Sequence, residues 1–148
     1  MTGVQTCALP ISEAVDSWVG PAVRVSIFLS PLDVHVNRAP IGGLVKTVEY
    51  VAGSFLAAYR PEASEQNERC AMSLDGDRAR LTVTQISGVL ARRIVCRARP
   101  GDTLRAGERY GLIRFGSRTD LVLPRGTDLR VRVGDRVRGG ESVMGVLR

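Results

Sequence analysis

From Val23 the chain alternates: Val23, Val25, Ile27 and Leu29 are separated by Arg24, Ser26 and Phe28. A period of two predicts a β-strand. Pro31 ends it, and the polar segment from Asp33 to Pro40 is framed by prolines. Such a segment belongs at the end of a sheet, where functional groups are commonly carried. Gly42 and Gly43 predict a turn or bulge, and Leu44 to Val51 a second strand. Pro61 to Arg69 is polar and reads as a surface excursion, with Glu65, Gln66, Asn67, Glu68 and Arg69 as a solvated cluster. Asp75 and Asp77 flank Gly76 as turn formers. Ala79 to Ile86 alternates again, Leu81 and Val83 on one side and Thr82 and Thr84 on the other. Gly88 to Cys96 fits either a strand or a short helical turn and is read as mostly extended.

The last third holds a repeat. Gly101-Asp102-Thr103-Leu104-Arg105-Ala106-Gly107-Glu108 is echoed by Gly134-Asp135-Arg136-Val137-Arg138-Gly139-Gly140-Glu141, and each copy precedes an apolar segment containing glycine. The Gly-Asp pair predicts a tight turn, and the later glycine leads the chain into a strand. Two such units are similar to the barrel-sandwich architecture of biotinyl and lipoyl carriers. The fold class is therefore all-β, with many short strands.

The chain has 148 residues, enough for one domain with a real core. The first twelve, MTGVQTCALPIS, read like a translated sequencing adapter. The expectation is an artefactual leader over 1–12, a single domain over 13–148, and a natural N-terminus that is longer. No run of about 18 apolar residues predicts a transmembrane helix. The net charge is +6, and Lys46 is the one lysine among 21 basic residues. An arginine-rich surface suits phosphates, including lipid headgroups. Aromatics are only 5% of the chain, which argues against a base-stacking nucleic-acid platform. Cys7, Cys70 and Cys96 lack metal or redox spacing and read as plain buried thiols. A single histidine, His35, excludes a histidine-rich metal site.

Three places could carry chemistry. Gly116-Ser117 lies between the apolar run at Leu112 and Ile113 and the run Leu121-Val122-Leu123. Glycine leaves its carbonyl open to attack, and the adjacent hydroxyl could act on the backbone itself, although a plain turn explains the pair as well. Asp33 and His35 are two apart, which on extended backbone places them on one side. A carboxylate there would orient the imidazole and raise its proton affinity. Lys46 is not a carrier lysine, because it lies far upstream of the repeat rather than on a hairpin between its halves.

Together, SPLDVHVNRAP (30–40), SEQNER (64–69) and QISGVLARRIV followed by GERYGLIRFGSRTDLVLP resemble the short bacterial and archaeal-type phosphatidylserine decarboxylases. The resemblance covers about Val23 to Arg148. It implies a proenzyme that cuts itself between Gly116 and Ser117, leaving a β chain to 116 and an α chain 117–148 that stay associated. Ser117 would become a pyruvoyl group, the cofactor that forms a Schiff base with the substrate amine. His35, oriented by Asp33, would act as base and proton donor. Longer relatives carry a second histidine where this chain has Arg38, so one histidine must serve both steps or another group must help. Arg38, Arg118 and Phe115 are candidate contacts to the substrate. The implied substrate is phosphatidylserine in an anionic membrane, met peripherally at its cytoplasmic face, with no nucleic-acid partner and no metal; a homodimer is compatible with this reading. The alternatives are a non-catalytic barrel-sandwich binding module, an inactive truncated remnant, or a pyruvoyl decarboxylase for a small amino acid.

Overall fold

A computed structural model describes residues 5–29, 34–60, 62–88, 94–114, 117–130, 136–138 and 145–147, with backbone alone at 5–10, 29, 34–35, 114, 136–138 and 146. Thirteen strands and one helical turn follow in order: β1 (Gln5–Asp16), β2 (Gly20–Leu29), β3 (Val34–Arg38), β4 (Gly43–Val51), α1 (Ala63–Gln66), β5 (Arg69–Asp75), β6 (Arg80–Ile86), β7 (Ile94–Cys96), β8 (Thr103–Leu104), β9 (Arg109–Arg114), β10 (Ser117–Pro124), β11 (Asp128–Leu129), β12 (Arg136–Arg138) and β13 (Gly145–Val146). The all-β expectation holds. Every strand pairing is antiparallel.

The large sheet has the order β12-β1-β2-β10-β6-β5-β4-β8, and a small one has the order β3-β9-β7. The period-two segments become β2 and β6, and the strand expected over Leu44 to Val51 becomes β4. Val25, Leu81 and Val83 join Met72, Leu74, Leu121 and Leu123 in the core, where Tyr110 also packs. Because β6 and β10 are interior strands, both their faces are largely covered, and Thr82 on the supposed polar side of β6 is buried as well. Residues 5–12, set aside in the sequence reading, form one strand with 13–16, hydrogen-bonded to β2 along its length.

The turn at Gly76 joins β5 to β6, its N–H donating to the Ala79 carbonyl. In the first copy of the repeat, Gly101 and Gly107 adopt φ of 96° and 81°, the left-handed region that a Cβ disfavours. The second copy falls largely outside the described residues, as do Asp33, Phe115 and Gly116. The excursion at 61–69 differs from expectation. Part of it forms α1, and Asn67 is fully buried. Asn67 Nδ2 donates to the carbonyls of Leu56 and Ser87, each at 2.8 Å, and its Oδ1 accepts from Leu56 N–H at 2.9 Å. A buried amide is tolerated when its donors and acceptor are used in this way.

Candidate active site

The two sheets meet at one corner through paired crossings. β2 ends at Leu29, opposite Ser117, and β3 begins at Val34, opposite Arg114. Between those two pairs run residues 30–33 on one side and Phe115-Gly116 on the other. The Gly-Ser pair therefore connects β9 of the small sheet to β10 of the large one. Ser117 is the first residue of β10 and has 0% exposure. His35 lies on β3 opposite Ile113.

A little farther from the corner, two rows of residues face each other. Register aligns Asn37, Gly111 and Cys96 across β3, β9 and β7. In the large sheet it aligns Thr119, Gln85 and Cys70 across β10, β6 and β5. Asn37 Nδ2 donates to Thr119 Oγ1 at 3.0 Å, and Gln85 Nε2 donates to Asn37 Oδ1 at 2.8 Å and to the Val95 carbonyl at 3.2 Å. Gly111 must lack a side chain here, because a Cβ would lie 2.7 Å from Gln85 Nε2 and closer still to the Val95 oxygen. At the far end of the rows the thiols of Cys70 and Cys96 are hydrogen-bond neighbours. Cys96 is lowered to about 7 by the hydrogen bond from Cys70, while the same contact and burial push Cys70 up. Of the three cysteines expected to be plain buried thiols, Cys70 is buried and Cys96 only partly so.

Because Asn37 touches Thr119, the strands leading to the corner can be followed from that contact. Two residues back from Asn37 is His35, and two residues back from Thr119 is Ser117. His35 and Ser117 thus each lie two residues from that contact along their own strands, toward the crossing.

Arg118 and Asp120 occupy the opposite face of β10. Arg118 is only 3% exposed. Its Nε donates to Asp120 Oδ1 at 2.7 Å and its Nη2 to Asp120 Oδ2 at 3.3 Å, a forked ion pair. Nη1 donates to the carbonyls of Ala58 and Arg60, and Nη2 to the hydroxyls of Ser26 and Ser64. Ser64 in turn donates to Asp120 Oδ2 at 2.7 Å. The Phe28 ring centroid lies 5.7 Å from the guanidinium carbon. Arg118, a candidate substrate contact from sequence, thus has its donors engaged by protein acceptors. Arg38 Nη1 donates to the Gly107 carbonyl at 3.0 Å, which ties β3 to the turn of the first repeat copy.

The sequence reading missed Asn37, Gln85, Thr119, Ser64, Asp120 and Asn67. Ser64 and Asn67 lie within the SEQNER segment that carried the resemblance, and Gln85 opens QISGVLARRIV. Those segments were the available signal.

A family profile described as phosphatidylserine decarboxylase matches residues 11–145. Among curated relatives, a phosphatidylserine decarboxylase proenzyme of Chlorobium chlorochromatii is 46% identical over 142 residues, covering 96% of this chain and 64% of the relative. Proenzymes of the same name from Nocardia farcinica and Rhodococcus erythropolis are 54% and 55% identical over 128 residues, each covering 86% of this chain and 54% of the relative. The chain thus spans between 54% and 64% of the length of these relatives. No solved structure matches it.

Proposed function

The chain belongs to the phosphatidylserine decarboxylase family, and from that premise we propose that it is the reacting core of a proenzyme that cuts itself at Gly116–Ser117 and then decarboxylates phosphatidylserine to phosphatidylethanolamine. One observation carries the reading. Ser117 is a fully buried hydroxyl residue at the first position of an interior strand, two residues from the Asn37–Gln85–Thr119 cluster to which the strand of His35 also leads.

Self-cleavage begins when Ser117 Oγ attacks the Gly116 carbonyl carbon. The Oγ–C bond forms, the C–N bond breaks, and the hydroxyl proton passes to the departing amine through a base, the role we give His35 with Asp33 beside it in sequence. An amide resists this exchange unless backbone strain or oxyanion donors assist. Loss of the Ser117 Cα proton then expels Gly116 as a carboxylate, and hydrolysis of the resulting dehydroalanine releases ammonia and leaves a pyruvoyl group.

The site suits that group. Residue 117 is withdrawn from bulk water, and β10 stays fixed by eight register pairs with β2 and five with β6, so the new N-terminus is held after the cut. The α and β chains therefore remain together. When present, the pyruvoyl ketone supplies an electron sink for decarboxylation of an amine-bearing substrate. The chain's own contribution is to exclude water around residue 117 and to present His35 as proton donor. Arg38 and Phe115 flank this corner in sequence and are proposed substrate contacts. Arg118 braces β10 from behind.

We place the protein peripherally at the cytoplasmic face of the membrane. Among the described residues no helix is long and apolar enough to cross a bilayer. The net charge of +6 favours an anionic surface.

Denaturing mass spectrometry of the full-length protein tests the proposal. Two fragments meeting at 116/117 are expected, the shorter one carrying a carbonyl trapped by amine and borohydride. A single intact chain with an ordinary Ser117 would overturn it.

A further inference from the structure

The buried row Asn37–Gln85–Thr119 is more polar than its position requires. It lies between two sheets: away from the crossing its neighbours Leu121 and Val83 are apolar, and toward the crossing the buried Ser117 and Ser87 follow Thr119 and Gln85. Gln85 has 0% exposure, and its Oε1 has no hydrogen-bond partner among the described residues. A buried acceptor left unused costs about 1–3 kcal/mol. An apolar side chain of similar volume would avoid that cost, so stability alone does not account for an amide here. What the amide does provide is direction. Hydrogen bonds act over a few tenths of an ångström, whereas apolar contact tolerates sliding.

The bonds have a specific reach. Gln85 Nε2 spans from β6 to Asn37 on β3 and to the Val95 carbonyl on β7, and Asn37 completes the link to Thr119 on β10. Four strands from two sheets are thereby fixed against one another. Two of them lead, in two further residues, to His35 and to Ser117. Gly111 leaves the space that Gln85 enters, so the small sheet is shaped to receive this side chain.

Granting self-cleavage at Gly116–Ser117, on which this depends, we propose that Gln85, acting through Asn37 and Thr119, is a positioning residue for that reaction: it sets the separation between the strand bearing His35 and the strand beginning at Ser117. Gln85 touches no reacting atom. Its effect is on the distance over which the Ser117 hydroxyl proton must move. A misplacement of about 1 Å between reacting groups costs on the order of 100-fold in rate.

The experiment follows self-cleavage over time in full-length protein by denaturing mass spectrometry, across pH 5 to 9, with thermal melting of each variant. Thr119→Val removes one hydroxyl at constant shape, Thr119→Ser restores it, and Gln85→Leu removes the whole amide. Thr82→Val makes the same hydroxyl deletion on β6 away from the row. The expected result is cleavage slowed at least tenfold in Thr119→Val and more in Gln85→Leu. Thr119→Ser should recover most of the rate, Thr82→Val should match wild type, and the pH midpoint of the slowed variants should move. Should Gln85→Leu fail to fold, the Thr119 pair still decides. Wild-type rates in Thr119→Val, or slowing that tracks melting temperature equally in Thr119→Val and Thr82→Val, would overturn the positioning role while leaving self-cleavage intact. An uncut wild type would instead refute the self-cleavage reading, and this proposal with it.

Discussion

Replacing Arg118 by methionine separates two readings of that residue. The guanidinium and its partner Asp120 are each 3% exposed. Methionine fills much of the arginine stem's volume but leaves the Asp120 carboxylate facing only the Ser64 hydroxyl among its described partners. Removing one member of a buried ion pair costs about 3–5 kcal/mol. The carbonyls of Ala58 and Arg60 also lose a donor, so the upper half of that range is expected. Against a total stability of about 5–15 kcal/mol for a domain, such a loss is large. Urea unfolding at pH 7, in a Ser117→Ala background so that the chain stays in one piece, should show the midpoint falling by roughly 2 M at unchanged m-value. The double variant Arg118→Met/Asp120→Leu removes both charges and should recover about 1–4 kcal/mol of the loss. A loss below 1 kcal/mol in the single variant, or a double variant no more stable than the single, would refute the bracing role. Were Arg118 a substrate ligand instead, the substitution would leave the midpoint in place and, in the chain that keeps Ser117, raise KM.

Three further outcomes are expected. Gly111→Ala places a methyl against the Val95 carbonyl and Gln85 Nε2; overpacking of this kind costs about 1–3 kcal/mol, read as a melting temperature lower by roughly 3–10 °C. Asn67→Leu strips three buried hydrogen bonds and leaves two carbonyls and an N–H unpaired, so unfolding free energy should drop by about 3 kcal/mol or more in the same urea assay. Cys96 should alkylate with a midpoint near about 7, and Cys70→Ala should move that midpoint up by removing the hydrogen bond to the thiolate. Because the folded value lies below the ordinary thiol value of 9.0, the Cys96 contribution to stability grows between about 7 and 9 and is lost as pH falls through about 7, while above 9 the raised Cys70 opposes it. A Cys96 midpoint unmoved by Cys70→Ala would contradict the thiol pairing.

Where a strand's pattern depended on its own residues, the sequence was readable. β2 and β6 follow from alternation, and Gly101 lies in the turn expected of the Gly-Asp pair, with a φ of 96°. Ser117 opens β10, the second of the two apolar runs between which the Gly-Ser pair was read. What escaped was contact between distant segments. Asn67 reads as solvated beside Glu65, Gln66 and Glu68; it is buried because Ser54 pairs with it and closes the 54–67 loop over it. Arg118 reads as a candidate substrate contact beside Ser117, yet its hydroxyl partners Ser26 and Ser64 lie 92 and 54 residues away. The Asn37–Gln85–Thr119 row has no local signature at all. It exists only once two sheets are stacked in register.

The interior position of β10 has a consequence for how the protein can be handled. Granting the proposed self-cleavage, folding before the cut is unimolecular and its midpoint is independent of concentration. Afterwards the folded state is a complex of two chains, and a strand from the middle of the larger sheet belongs to the shorter one. Its unfolding releases that piece into solution, so recovery becomes second order and its midpoint depends on dilution. On that proposal, a sample melted as precursor would return, whereas one melted after cleavage at low concentration would lose the shorter chain irreversibly.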